Sequence, residues 1–171
     1  MSCRRRSELT CLTWRTAMQR NWTRAVVAGV VGTLVMTAVG VWFAPMMGIP
    51  RMNPAEMLAG QMGGNIGLGW AAHLMVGVIL AVGYAIVSPS LVGPPAVRGA
   101  IYGIAPWLLA QVAVMPMMGA PVFSGSVVLA MGSFLGHLIY GVVVGAVYGL
   151  QTSSLPLLSR SLLASGVSLH F

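Results

Sequence analysis

Four long apolar segments, separated by short polar or proline-containing stretches, dominate the pattern of the chain. No Asp, Glu, Lys or Arg occurs at positions 25–50, 57–97 or 99–159. A membrane-spanning helix needs about 20 mostly apolar residues, and the last of these intervals has room for two such helices and a turn. We therefore predict an all-α fold, a polytopic membrane bundle of four transmembrane helices, with spans at about 25–43, 69–87, 98–115 and 127–150.

The loop that follows the first span carries a helix-capping pattern. Within positions 44–68, Asn53 suits an N-cap and Pro54 suits the first helical position. Glu56 stands three residues after the cap, from which its carboxylate can bond back to the cap residue. The pattern predicts a short surface helix that begins at Pro54, and it gives Glu56 a structural role. Pro106, inside the third span, predicts a kink.

The composition is typical of a membrane protein rather than a soluble one. Hydrophobic residues make up 57% of the chain and charged residues 6%, whereas about a quarter of the residues in soluble domains are charged. The net charge of +7 comes largely from arginines in the first 24 residues, and no basic stripe with interleaved aromatic residues follows them. We therefore expect the lipid bilayer as a partner, and no nucleic acid.

The distribution of arginine predicts the orientation of the helices. With the N terminus inside, eight of the nine basic residues fall in inner segments, and only Arg51 lies in an outer loop. Positive residues concentrate on the cytoplasmic side of membrane proteins. We expect a multi-pass protein of the bacterial inner membrane, with both termini in the cytoplasm.

The two ends of the chain lie outside the predicted bundle. Residues 1–24 are basic and polar, and we predict either a cytoplasmic tail or a chain that starts at Met18, in preference to an organellar transit peptide or a twin-arginine signal. Cys3 and Cys11 form no CxxC pair, so neither a disulfide nor a zinc site is expected there. Residues 151–171 form a tail rich in Leu and Ser that is too interrupted to span a membrane.

Two short motifs occur twice and predict an internal duplication. Pro-Met-Met-Gly-x-Pro stands at 45–50 and again at 116–121, and His-Leu, followed by Gly and Tyr, stands at His73 and again at His137. The offsets are 71 and 64 residues, and the longer first loop, with its predicted short helix, accounts for the difference. Because each copy contains an even number of spans, both copies have the same orientation in the membrane. We therefore predict tandem parallel two-helix repeats, related by a pseudo-two-fold axis along the membrane normal.

The two His-containing spans each carry mostly small residues at four-residue spacing, which places these residues on one helix face. Small residues mark contact faces in membranes, because they allow backbones to approach closely. We predict that the second and fourth spans pack closely through these faces, on each other, in a homodimer or on another membrane subunit. The faces consist of Gly69, His73, Gly77, Ala81 and Ala85, and of Ser133, His137, Gly141, Gly145 and Gly149.

Several motifs also carry a resemblance to a known family. From about Arg24 to Leu150, the chain resembles small bacterial multi-pass membrane proteins that share the domain of unknown function DUF6789. The resemblance implies residence in a membrane, and it supplies no activity, substrate or functional residue. The motifs that carry it are Gly29-x-x-Gly32-Thr33 with Met36-Thr37, the first Pro-Met-Met-Gly-x-Pro loop, Trp70-x-x-His73, and Gly136-His137-Leu138-x-Tyr140-Gly141.

Four polar side chains, one in each span, are predicted to form a polar layer in the outer leaflet. Polar groups at this depth are rare and favour a functional hypothesis. Imidazole and thioether groups suit Cu(I), and two histidines on different helices suit haem iron. The competing interpretation is that the polar groups hydrogen-bond between helices, while methionines fill apolar gaps. The layer consists of Thr37, His73, Gln111 and His137, with Met46, Met47, Met117 and Met118 just above it.

Three functions follow from these observations, in order of preference. The first is a structural or accessory protein, or a homo-oligomerising helix bundle, that needs no cofactor. The second is a small transporter or channel that uses the polar layer, and the third is a haem- or copper-binding membrane protein. The chain contains no Walker loop, GxSxG, HExxH or carboxylate pair, so we expect no enzyme.

Overall fold

The computed structural model of the protein describes residues 20–149, which form five helices and no strand. Four of these helices are long and apolar enough to cross a membrane, as the hydrophobic pattern predicts. The long helices are α1 (Trp22–Met46), α3 (Ile66–Ser90), α4 (Pro95–Met117) and α5 (Val127–Gly149), and the short α2 (Pro54–Gln61) lies between α1 and α3.

The bundle has two ends, which we name from the short helix. The α2 end holds α2 and the loop 118–126, and the opposite end holds the turn 91–94. The predicted tail 151–171, and most of the predicted basic tail with Cys3, Cys11 and Met18, lie outside the described residues.

Asparagine side chains cap the first turns of three helices. Asn21 accepts a hydrogen bond from a backbone N–H of α1 at 3.0 Å, Asn53 from one of α2 at 3.1 Å, and Asn65 from one of α3 at 3.2 Å. A capped helix begins where its cap stands. For this reason α1 and α3 begin at Trp22 and Ile66, each three residues before the start that hydrophobicity predicts. The short helix after Asn53 is present as predicted.

Both α1 and α4 widen into a π-helical turn just before the Pro-Met-Met-Gly motif. The turns are Val39–Phe43 and Ala110–Val114, which lie 71 positions apart, as the two motifs do. A proline has no N–H, and in an α-helix its ring collides with the carbonyl four residues earlier. In the wider turn, each N–H bonds to the carbonyl five residues earlier. The carbonyl four residues before the proline is thereby moved away from the ring. Pro45 and Pro116, the first residues of the motifs, therefore account for the widening.

The glycine of each motif ends its helix. Gly48 and Gly119 have φ angles of 75° and 81°, in the left-handed region that glycine adopts without steric cost. The N–H of Gly48 bonds to the carbonyl of Pro45 at 3.1 Å, and the next N–H bonds to that of Ala44 at 3.0 Å, with matching bonds after Pro116. This is the Schellman pattern of helix termination. The repeated motif is thus a helix stop, whereas the duplication itself stays a prediction.

Small residues bring neighbouring helices into close contact. A Cβ on Gly77 of α3 would collide with the hydroxyl of Thr33 on α1, and Gly29 of α1 packs against the backbone of α3. On the other side of the bundle, the backbones of Gly99 in α4 and Gly141 in α5 approach so closely that a Cβ on either would collide with the carbonyl of the other. Both contacts exclude larger side chains, as small-residue contacts in membranes do.

The structure corrects the expected packing of the second span on the fourth. The small-residue faces of α3 and α5 are occupied by α1 and α4 respectively, and α3 and α5 make few contacts with each other. Gly69 lies against Ala55 and Ala59 of α2, Ala81 lies against α1, and Gly145 and Gly149 lie against Pro95 at the start of α4.

The four long helices are not arranged with two-fold symmetry. A pseudo-two-fold axis would pair α1 with α5 in the same way as α4 with α3. In the structure α1 packs along α5, with Gly32 against Tyr140 and Val144, whereas α3 and α4 barely touch. The side-chain bonds and ring contacts between α3 and the α4 segment involve Tyr84 and Tyr102 and lie towards the opposite end. A gap therefore separates α3 from α4 towards the α2 end.

Candidate ligand cavity

A cavity of about 280 Å³ lies between α1, α3, α4 and α5, towards the α2 end. Its walls are mostly apolar, and no charged side chain lines it. The hydroxyl of Tyr140 donates to the carbonyl of Gly77 at 2.5 Å, and this bond joins α5 to α3 in the wall of the cavity. The polar side chains of the lining are Thr33, His73, Gln111, Ser124, Ser133, His137 and Tyr140.

Three members of the predicted polar layer line this cavity, and the fourth lies behind one of them. Thr37 does not line the cavity, but its Oγ1 is 2.9 Å from Nε2 of His73, and both side chains are buried. The Thr37 hydroxyl also donates to the carbonyl of Thr33 at 2.8 Å. Because a hydroxyl has one proton, both bonds form together only if Nε2 of His73 carries the hydrogen.

His137 is oriented by its own helix. Its Nδ1 lies 2.8 Å from the carbonyl of Ser133, one turn earlier on α5. A carbonyl only accepts hydrogen bonds, so Nδ1 carries the hydrogen. When the ring is neutral, Nε2 of His137 therefore has a lone pair and no hydrogen. The same holds for Nδ1 of His73, because Nε2 of that ring carries the hydrogen.

Gln111 is held by two serines on the other side of the cavity. Its Nε2 donates to Ser133 at 3.1 Å, and its Oε1 accepts from Ser124 at 3.0 Å. Ser124 follows Phe123 in a left-handed turn in which their φ angles are 58° and 54°. Non-glycine residues rarely adopt this region. The Phe123 ring packs on Trp107, so side-chain contacts on both residues hold the turn over the cavity.

The predicted methionine pairs are split by the structure. Met46 and Met117 are 82% and 84% exposed and do not line the cavity, whereas Met47 and Met118 do. Four further methionines line it, from α1, α2, α4 and the loop after α1. These are Met36, Met52, Met57 and Met115.

Metal-ligating groups are sparse in the part of the chain that the structure describes. Residues 20–149 contain no cluster of three or more His, Cys, Asp or Glu side chains that could hold an ion. A metal would have to rely on thioether groups beside the two imidazoles. Such a set suits a soft ion such as Cu(I) better than a hard divalent ion.

The charged groups at the α2 end lie outside the cavity. Arg51 and Glu56 form a two-pronged salt bridge, with bonds of 2.8 and 3.1 Å, and both side chains are about half exposed. The Arg51 guanidinium holds the pKa of the Glu56 carboxyl below its usual value. This pair fastens the loop to the first turn of α2, so Glu56 binds Arg51 where the sequence pattern predicts a bond to the cap residue Asn53.

The helices, the repeated helix stop and the cavity-lining histidines all fall within one family match. Residues 19–156 match the Family of unknown function (DUF6789). The chain belongs to this family. The resemblance that the sequence motifs indicate is therefore confirmed, and the match to DUF6789 covers every helix that the structure describes. No curated protein and no solved structure matches the chain.

Several residues of the cavity in this DUF6789 member have no clear signal in the sequence. Ser133 and Tyr140 stand on the predicted contact helix, but their partners Gln111 and Gly77 are 22 and 63 positions away. Met36 and Met52 are two of many methionines, and only the fold places them beside Gly136 and Gly132 of α5. The spacing of Tyr140 from His137, almost one helical turn, is the one available hint that they share a site.

Proposed function

We propose that this protein is a multi-pass membrane protein that binds a small, mostly apolar molecule in the cavity between its four long helices. The observation that carries the proposal is the cavity itself, an apolar space with a few polar groups directed into it. Such a combination is the usual form of small-molecule sites.

The size of the cavity supports an organic ligand. About 280 Å³ is roughly twice the 150 Å³ of an engineered protein cavity that binds benzene. A molecule with one aromatic ring and short substituents fits this volume. The function proposed is binding, alone or as the binding step of a small carrier.

The homo-oligomerising role predicted from the small-residue faces has less support. In the described residues, the faces of α3 and α5 are covered by α1, α2 and α4. These contacts leave less of the two faces for a second copy or another subunit, and such a partner stays a prediction. An accessory role through other surfaces stays a prediction, as does the absence of enzymatic activity.

We also propose that the protein lies in the bacterial inner membrane with its α2 end outside and both termini in the cytoplasm. Four helices of sufficient length and apolar character support a membrane location. Arg24 and Arg98 lie at the end opposite α2, and the described segments at the α2 end contain a single arginine, Arg51. This distribution fits the positive-inside rule.

Photoaffinity labelling in lipid nanodiscs tests the binding proposal. An uncharged alkylbenzene that carries a diazirine is expected to label Met36 and its neighbours in the cavity, as mapped by mass spectrometry. Gly136→Leu is expected to abolish this labelling, because Gly136 lines the cavity and a Cβ there meets nothing closer than 3.6 Å. Gly60→Leu on α2 is the matched control, since a Cβ there has no neighbour within 4 Å. Equal labelling of both variants, or labelling of lipid-facing residues alone, would contradict the proposal.

A further inference from the structure

We propose that the cavity takes an uncharged molecule with two O–H or N–H donors on an apolar skeleton, such as a dihydroxybenzene, and that Nδ1 of His73 and Nε2 of His137 accept its two hydrogen bonds. This inference rests on the proposed binding function and names the class of ligand. It is carried by the protein bonds that fix both ring tautomers.

Each histidine uses its protonated nitrogen within the protein. Nε2–H of His73 donates to Thr37, and Nδ1–H of His137 donates to the carbonyl of Ser133. What remains on each neutral ring is an acceptor without a hydrogen. A buried acceptor that stays unpaired lowers stability, so a ligand that supplies two donors gains from both rings.

The two free nitrogens are open to the cavity rather than sealed in the protein. Among the side-chain nitrogen and oxygen atoms of residues 20–149, Arg24 Nη1 is the one fully buried atom without a hydrogen-bond partner. Nδ1 of His73 and Nε2 of His137 also have no protein partner, but neither is a fully buried atom. A molecule outside the protein can therefore reach both nitrogens. Because both rings line the cavity, a ligand there can reach them.

The histidines also lie at similar depths. The Tyr140–Gly77 bond joins α5 to α3, and both helices run from the α2 end towards the opposite end. His73 precedes Gly77 by four residues and His137 precedes Tyr140 by three. At 1.5 Å per residue, the Cα atoms of His73 and His137 stand about 6 and 4.5 Å from those of Gly77 and Tyr140, towards the α2 end. Because both histidines also line the same cavity, the proposal assigns the two hydrogen bonds to one small molecule.

An uncharged donor fits better than a soft metal ion. No carboxylate, thiolate or other charged group lines the cavity, and Glu56 is paired with Arg51 outside it. A cation would thus be buried without a counter-charge, which is costly at bilayer depth. A single ion would also leave most of the 280 Å³ empty.

The gap between α3 and α4 gives such a molecule a route from the lipid. Val76 of α3 and Leu109 of α4 both line the cavity, and they are 43% and 60% exposed. Residues that line a cavity and are also exposed mark where it opens. This opening faces the bilayer interior, so entry there needs no charged or water-filled path. Met47 and Met57, which also line the cavity and are 58% and 42% exposed, mark a second opening at the α2 end.

A matched pair of ligands tests the inference in the intact protein. Methylhydroquinone and its dimethyl ether share one skeleton, but only the first has donors. We expect the diol to displace the diazirine probe in nanodiscs at a concentration, relative to lipid, at least about tenfold lower than the ether, because two hydrogen bonds are lost in the ether. His73→Leu and His137→Leu are each expected to reduce this preference severalfold.

The outcomes separate the inference from the function on which it rests. Equal displacement by the diol and the ether would leave the cavity as a binding site and overturn the inference, and displacement by neither would also overturn it. Cu(I) that displaces the probe at one ion per protein, and fails to do so in Met52→Leu, would replace it with a metal site. Absence of probe labelling in the cavity would instead contradict the proposed function.

A spectroscopic measurement tests the tautomers without any change at the cavity. In protein labelled with ¹⁵N-histidine, with His170→Ala to remove the third signal, we expect both rings to be neutral in bilayers at about pH 7. The proton should lie on Nε2 of His73 and Nδ1 of His137. The diol should shift the two unprotonated nitrogens and the ether should not. A proton on Nδ1 of His73, or a charged ring, would overturn the inference even if the leucine variants failed to fold.

Discussion

The hydroxyl of Tyr140 on α5 donates to the backbone carbonyl of Gly77 on α3, across 63 positions of sequence. It is one of few direct contacts between these helices, and both residues line the cavity that the histidines also line. Such a bond, between helices that otherwise touch little, contributes both to stability and to the shape of the site.

Tyr140→Phe is therefore expected to destabilise the protein modestly. The loss should be about 0.5–1.5 kcal/mol, the usual range for hydrogen bonds between membrane helices. Thermal unfolding in detergent measures it. Tyr148→Phe is the matched control, because the Tyr148 ring packs on Tyr84 but its hydroxyl makes no hydrogen bond in the described structure. Equal losses in the two variants would show that the Tyr140 bond contributes nothing.

Gly99→Ala should disrupt the α4–α5 contact. The added Cβ would collide with the carbonyl of Gly141, and the helices would have to separate, at a cost of about 1–3 kcal/mol. Gly136→Ala on α5, where the side chain would face Met36 of α1, should be neutral or slightly stabilising, since its Cβ finds ordinary contacts there and alanine favours helix. Denaturant unfolding of both variants measures the difference, and a Gly99→Ala protein as stable as the wild type would contradict the described packing.

The Arg51–Glu56 pair predicts a small loss of stability in acid. The pKa of Glu56 is lower in the folded protein than its ordinary value of 4.5, so the folded state binds this proton less readily than the unfolded chain. The stabilisation is therefore complete above that ordinary value and is lost as the pH falls through the lower one. Melting temperatures between about pH 7 and pH 3 should fall more for the wild type than for Glu56→Gln. Parallel curves would show that the salt bridge is not maintained.

Cysteine accessibility tests the proposed orientation. In a Cys3→Ser, Cys11→Ser background, Gly60→Cys at the α2 end should react with a membrane-impermeant maleimide added to intact cells, because a side chain there is unobstructed. Val92→Cys, in the turn at the opposite end, is equally suitable, since Val92 is 82% exposed. It should react only after the membrane is made permeable. The reverse pattern would invert the topology.

The helices could be predicted from the sequence because lipid makes length and apolar character decisive. Twenty apolar residues predict a span in almost any context, and the pattern from Asn53 to Glu56 predicts α2 through local bonds. Hydrophobicity predicted the starts of α1 and α3 less well, because Asn21 and Asn65 determine them through single side-chain hydrogen bonds.

The site was predicted in part. The depth of a residue in the membrane can be counted along its span, whereas the side of the helix that faces the site cannot be predicted from the sequence alone. Counting residues placed Thr37 and His73 at one level, but their bond depends on how α1 and α3 are rotated against each other. The exposure of Met46 and Met117, in contrast to Met47 and Met118, depends on the π-helical turns and helix stops that precede the loops. The cavity itself depends on a contact that α3 and α4 fail to make, and no local pattern encodes a missing contact.

Because the gap between α3 and α4 admits ligands from the lipid, a measured affinity depends on whether the ligand concentration refers to water or to the membrane. A molecule that arrives through lipid is first concentrated by partitioning, and each added CH₂ favours the bilayer by about 0.8 kcal/mol, or about fourfold. Longer alkyl substituents will therefore appear to bind more tightly when concentrations refer to water. Occupancy at a fixed mole fraction in the membrane will barely change, because lipid and cavity wall solvate the added carbons alike.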